Sequence, residues 1–88
     1  MFTVYIIYSK NIDQFYIGHS SNLDDRIFRH NNSGSKATKK ANDWVIKYTK
    51  VFNSKTEAYQ YEMEIKKKKS RKFIESLIQS SSLEHLCL

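Results

Sequence analysis

Between Phe2 and Ser9 the chain is apolar at nearly every position, which predicts a strand at the centre of a sheet, partly buried on both faces. Alternation sends Phe2, Val4, Ile6 and Tyr8 one way and Thr3, Tyr5 and Ile7 the other. The short polar turn Lys10-Asn11-Ile12-Asp13 leads into a second strand-like run, Gln14 to Gly18, so the two form an antiparallel hairpin. Phe15 and Ile17 point opposite to Tyr16 and Gly18. Gly18 is expected to end the run, where a missing side chain lets another backbone or a ligand approach closely. Ser21-Asn22-Leu23-Asp24 carries an N-cap hydroxyl with an acid three residues on, predicting a helix to about Asn31 with Leu23 and Ile27 turned inward. Asn31-Asn32-Ser33-Gly34-Ser35 stops it, and Lys36 to Asn42 is basic, small and polar, a loop or short helix. Trp44 to Phe52 alternates as a third strand, with Trp44, Ile46 and Tyr48 on one face. Ser54-Lys55-Thr56-Glu57 is a second capping box and opens a long helix striped by Ala58, Tyr61 and Ile65. A last helix, about Arg71 to Ile78, turns Phe73, Ile74, Leu77 and Ile78 to one side. Residues 80–88 are expected to form a loosely ordered tail.

A hairpin, a helix, a strand and further helices make an α+β fold, a small three-stranded antiparallel sheet flanked by helices. Eighty-eight residues allow one domain, placed here at residues 1–79. Five Phe, six Tyr and one Trp supply a modest core, and the absence of Pro with only two Gly argues against a disordered chain. The longest apolar stretch, Val4 to Tyr8, is far too short to span a bilayer. It lacks the basic start and small-residue cleavage site of a secretory signal. The lone Cys87 excludes an internal disulfide and a cysteine-rich zinc site, and a reducing, cytoplasmic setting fits. A monomer is the expected state.

Fifteen Lys and Arg against nine Asp and Glu leave a net charge of +6 and a pI near 9.5, the electrostatic footprint of a phosphate-backbone binder. Plain solubility accounts for such a charge as well, so it discriminates little by itself. There is no phosphate-cradling Gly-rich loop, no Cys-His zinc spacing and no Gly-flanked nucleophilic serine.

Candidate chemistry gathers at a few polar residues. Tyr5 and Tyr16 lie in adjacent strands and come close in an antiparallel pair. Arg26 and His30, four apart on a helix, share a face. Glu62 falls inside the apolar stripe of the long helix, where an unpaired carboxylate is costly, whereas Glu57 and Glu64 project away. Two roles suit Glu62: a ligand for a hard divalent ion, or a partner for an Arg or Lys such as Arg26. Arg26 suits either a phosphate or a surface ion pair with Asp25.

The triplets Thr3-Val4-Tyr5 and Tyr16-Ile17-Gly18 carry a resemblance. Together with Ser21 to Arg26, His30-Asn31, Ala58 to Glu62 and Ile65-Lys66-Lys67, they resemble the GIY-YIG nuclease superfamily from about Phe2 to Ile78. The likeness is to the small single-domain form, related to the nuclease module of a bacterial excision-repair endonuclease. The second triplet stands intact; in the first, Thr3 replaces Gly and Val4 replaces Ile. The resemblance implies the same architecture and a metal-dependent endonuclease acting on nucleic acid, DNA in the first instance, in repair or processing. It implies one Mg²⁺ or Mn²⁺ ion at Glu62, and catalytic roles for Tyr5, Tyr16, Arg26, His30 and Glu62. In that reading Tyr5 activates water and its phenol is made more acidic by Arg26 or the metal ion. Tyr16 positions water or phosphate, Arg26 stabilises the transition state, and Gly18 is structural at the site. The five polar residues are expected on one concave surface of the sheet. Lys36, Lys39, Lys40, Lys66, Lys67 and Arg71 are expected to track a phosphate backbone without reading sequence. A catalytically inactive nucleic-acid-binding module of the same fold is the alternative.

Overall fold

The computed structural model describes residues 1–32 and 40–86, the stretch 81–86 by its backbone alone. Its elements run β1 (Phe2–Ser9), β2 (Gln14–Ser20), α1 (Leu23–Asn32), β3 (Val45–Phe52), α2 (Lys55–Lys68) and α3 (Arg71–Leu86). The sheet has three antiparallel strands in the order β2-β1-β3, so the most apolar strand is the central one. This is the α+β architecture that the hydrophobic pattern predicts.

Both faces of β1 are covered. Val4, Ile6 and Ile17 pack with Ala58 and Ile65 of α2, and with Phe73, Ile74, Leu77 and Ile78 of α3. Tyr5 and Ile7 pack on the other side with Trp44 and with Leu23 and Ile27 of α1. Burial of apolar area on both sides is what fixes the strand register, because a slip by one residue would exchange the two cores.

Local details depart from the sequence pattern in four places. Asn22, not Ser21, caps α1: the Asp25 amide donates to Asn22 Oδ1 at 3.1 Å, while Ser20 Oγ bonds the Asn22 backbone at 3.0 Å. β2 continues through Gly18 to Ser20, so the glycine lies inside the strand, directly opposite Tyr5. In β3, Tyr48 pairs with Ile6 but Ile46 pairs with Ile7, leaving Lys47 as the extra residue of a β-bulge. The bulge separates residues expected to share a face: Tyr48 joins the Val4 core while Trp44 joins the Tyr5 core. Finally, α3 runs past Ile78, the end expected for the last helix, to Leu86.

Long-range polar ties hold the connections. Asn31 embraces the Trp44 backbone, accepting from its amide at 2.7 Å and donating to its carbonyl at 3.1 Å. Ser9 Oγ and the Asn11 amide both donate to the Asp43 carboxylate, which keeps that carboxyl below the usual range. Arg71, at the start of α3, grips Asp13 in the β1–β2 turn through both carboxylate oxygens, at 2.6 and 3.2 Å. Asp13 sits in the left-handed region at φ 51°, and its carbonyl also accepts from Arg71.

Candidate active site

The Tyr5 side chain is 1% exposed, and its hydroxyl meets His30 Nε2 at 2.8 Å. The contact exists because β1 alternation aims Tyr5 at α1, and because His30 lies on the inward face of the last turn of that helix. Gly18 provides the space. A Cβ built there would stand 2.5 Å from the Tyr5 hydroxyl oxygen, so the phenol occupies the place of the missing side chain. The Tyr16 ring meets His30 edge-on, with centroids 5.2 Å apart, so the imidazole touches both tyrosines. Arg26 is exposed one turn earlier on α1, close enough that its charge acts on Tyr5 and His30 alike.

These neighbours set the protonation states. Burial pushes the Tyr5 phenol well above its ordinary value; the nearby Tyr16 and Glu62 act in the same direction, and Arg26 opposes them without prevailing. Of the two influences expected to acidify the phenol, Arg26 or a metal ion, the guanidinium by itself does not suffice, because desolvation outweighs it. His30, 3% exposed, is held below its ordinary 6.5 by burial first and by Arg26 second, so the imidazole is neutral at neutral pH. A consequence is measurable. The unfolded chain takes up a proton near pH 6.5 and the folded chain only at lower pH, so this contribution to stability is complete above 6.5 and is lost as pH falls through the folded value. Melting temperatures of wild type should drop below pH 6.5 more steeply than those of His30→Gln.

Glu62 is 7% exposed, and each of its carboxylate oxygens has one partner. His19 Nδ1 lies 2.6 Å from Oε1, and Lys66 Nζ, one helical turn on, donates to Oε2 at 2.7 Å. Arg26, the partner available from sequence, is not the one used. The residues that engage Glu62 were nevertheless within reach of pattern arguments. His19 alternates with Ile17 onto the α2 side of β2, and Lys66 stands at the i+4 position from Glu62.

Tyr5, Tyr16, Arg26 and His30 come together on the α1 side of the sheet, but Glu62 belongs to the helix packed on the opposite side. Glu62 therefore approaches the other four from α2, and its charge still acts on the Tyr5 phenol. Contact between the two groups runs around β2, which is an edge strand. Lys66 joins them: its ammonium bonds Glu62 and stands 5.8 Å from the centre of the Tyr16 ring. The charge of Glu62 reaches the Tyr5 phenol across the same edge, where Gly18 lies.

Among the described residues no three His, Cys, Asp or Glu side chains gather in a metal-binding group. A Mg²⁺- or Mn²⁺-type ion takes only one or two carboxylates from protein and fills its shell with water and phosphate. Glu62 fits that requirement. A carboxylate offers about four lone-pair sites, and His19 and Lys66 occupy one on each oxygen. His19 would also orient the carboxylate, as partners of metal-ligating groups do.

The basic residues expected to follow a phosphate backbone divide. Lys40 and Lys67 are exposed, whereas Lys36 and Lys39 lie outside the described residues. Lys66 is engaged by Glu62. Arg71 is engaged by Asp13 and lies over the Phe15 ring, 5.2 Å from its centre, so its placement is that of a clamp between α3 and the hairpin.

Comparison with known proteins places the domain among nucleases. The chain belongs to the GIY-YIG family: the model of the GIY-YIG catalytic domain matches residues 1–74. It is 41% identical over 64 residues to UPF0213 protein SH2523 of Staphylococcus haemolyticus, a match covering 72% of this chain and 77% of the relative. It is 36% identical over 64 residues, with the same coverage of 72% and 77%, to UPF0213 protein SSP2268 of Staphylococcus saprophyticus. No solved structure matches it significantly. Membership implies a nucleic-acid substrate, and nucleases of this family generally use divalent metals. No helix among the described residues is long and apolar enough to cross a membrane.

Proposed function

We propose that the chain is an endonuclease that hydrolyses phosphodiester bonds with the help of one divalent ion, Mg²⁺ or Mn²⁺, held by Glu62. The observation that carries this reading is the buried hydrogen bond between Tyr5 and a neutral His30, within electrostatic reach of both Arg26 and Glu62. Burial keeps Tyr5 from acting as a standing phenolate, so the two residues work as a relay. Water approaching the Tyr5 hydroxyl gives up a proton to it while Tyr5 passes its own proton to His30 Nε2, and no free phenolate is formed. The water oxygen attacks phosphorus in line, and the bond to the leaving sugar oxygen breaks. Arg26 offers its planar fork of donors to the charge that develops on the phosphate oxygens. Tyr16, beside His30, positions the phosphate or the water. A bound metal ion supplies Lewis-acid polarisation of a phosphodiester oxygen. DNA repair or processing is the setting suggested by the likeness to an excision-repair nuclease module.

The test is incubation of purified protein with labelled duplex, branched and single-stranded substrates in Mg²⁺, Mn²⁺ or chelator. Cleavage with metal and none with chelator is the expected result. Binding without cleavage on every substrate would favour a second reading, a non-catalytic nucleic-acid-binding module. One observation speaks for that reading: both oxygens of Glu62 already have partners.

In either case binding should depend strongly on salt. The net charge of +6 and the exposed Lys40, Lys67 and Lys69 favour backbone contacts. Each phosphate neutralised on duplex DNA contributes a log-affinity slope of about −0.9 against log salt. Lys40→Ala with Lys67→Ala should make that slope shallower alike on unrelated sequences. Titrations at several salt concentrations check this, and an affinity insensitive to salt would contradict backbone binding.

A further inference from the structure

The carboxylate read above as the metal ligand already holds a cation. Lys66 Nζ stands 2.7 Å from Glu62 Oε2, one helical turn away on α2. The two side chains differ in freedom: that of Glu62 is 10% exposed and fixed from its other side by His19, whereas that of Lys66 is 41% exposed. A lysine ammonium on a flexible four-carbon stem can move several ångströms at little cost. Its position also gives it an alternative partner. Lys66 lines the groove that contains Phe15, Ile17 and Ile74, and also the groove that contains Tyr59 and Met63. Lys69 borders both grooves and Lys67 borders the second, so an anion drawn to this surface arrives beside Lys66.

Resting on the assignment of Glu62 as the metal ligand, we propose that Lys66 is a hand-off residue that couples metal binding to nucleic-acid binding. In the free protein its ammonium occupies Glu62 Oε2 and repels an incoming divalent ion. A backbone phosphate offers the ammonium a second anion, draws it off the carboxylate, and opens that oxygen to the metal. His19 stays on Oε1 and keeps the carboxylate aimed. Because coupling between two ligands is reciprocal, bound metal in turn favours nucleic acid, by releasing Lys66 toward phosphate.

The experiment measures binding of Mn²⁺ from the electron paramagnetic resonance signal of the free ion. Wild type, Lys66→Gln, Lys66→Ala and Glu62→Gln are compared, each alone and with a short phosphorothioate duplex that resists cleavage. Melting curves establish that each variant is folded. In wild type the duplex should tighten Mn²⁺ binding by roughly tenfold, within the usual range of coupling between sites. Removing the ammonium should tighten Mn²⁺ binding to the free protein by a similar factor and shrink the effect of the duplex. If the Lys66 variants bind Mn²⁺ no more tightly than wild type, or keep the full effect of the duplex, the hand-off is wrong. The wild-type measurement needs no variant, and a duplex without effect on Mn²⁺ binding there overturns it as well. Mn²⁺ binding that survives Glu62→Gln unchanged instead removes the metal assignment itself, a failure distinct from that of Lys66.

Discussion

Glu62→Gln should reduce metal-supported cleavage by about a thousandfold, the upper end of the range for losing one preorganised electrostatic group in an active site. The fold should survive, because the substitution is nearly isosteric and its hydrogen bonds can be remade. The new amide oxygen can accept from Lys66, and the amide nitrogen can donate to His19 Nδ1. What disappears is the negative charge. On the stability side the charge is lost from two contacts, with His19 and with Lys66, whose hydrogen bonds the amide can keep. Melting curves supply a second readout. An ion that binds only the folded state raises the melting temperature by mass action, so Mn²⁺ should stabilise wild type and leave Glu62→Gln unmoved. If Glu62 serves only to pair His19 and Lys66, the variant cleaves as well as wild type and its melting temperature responds to Mn²⁺ just as the wild-type value does.

Much of this arrangement is legible along the chain, and the rest is not for identifiable reasons. The apolar run of β1 announces a central strand, and alternation correctly separates Tyr5 from Val4 and Ile6. The same run hides which helix covers which face. With both sides of β1 apolar, either can accept α2, and that choice puts Glu62 across the sheet from Tyr5. The bulge at Lys47 is equally silent, since a stretch such as Val45 to Phe52 alternates convincingly in either register. Protonation is a third case. A tyrosine near an arginine reads as acidified, but burial of the Tyr5 ring dominates, and burial is a property of the packed whole. Arg71 shows the limit of reading charge runs as surfaces. It follows four lysines, yet its guanidinium is bound to a carboxylate in the first hairpin, a contact between residues far apart in sequence.

Gly18→Ala should destabilise the protein and disable the Tyr5–His30 pair together. Gly18 does not lie at positive φ, so the constraint there is space and not backbone conformation. The added methyl would lie 2.5 Å from the Tyr5 hydroxyl oxygen, 2.7 Å from Cζ and 3.3 Å from Cε1. Tyr5 cannot easily retreat. Its ring is packed with Ile7 and Trp44, and its hydroxyl is bonded to His30 at 2.8 Å. Overpacking of this kind costs about 1–3 kcal/mol, and each kcal/mol lowers the melting temperature of a domain this size by roughly 4–8 °C. Turning the ring aside to relieve the clash would break the bond to His30, so cleavage should fall along with stability. Tyr5→Phe in the Gly18→Ala background makes the argument specific. It removes the oxygen that would lie 2.5 Å away but leaves Cζ at 2.7 Å, so stability should recover only in part. The double-mutant cycle should show a coupling of the size expected for residues in direct contact, about 0.5–3 kcal/mol. A Gly18→Ala protein that melts and cleaves like wild type would mean that Tyr5 has room to move, and that the strand pair does not hold the phenol against His30.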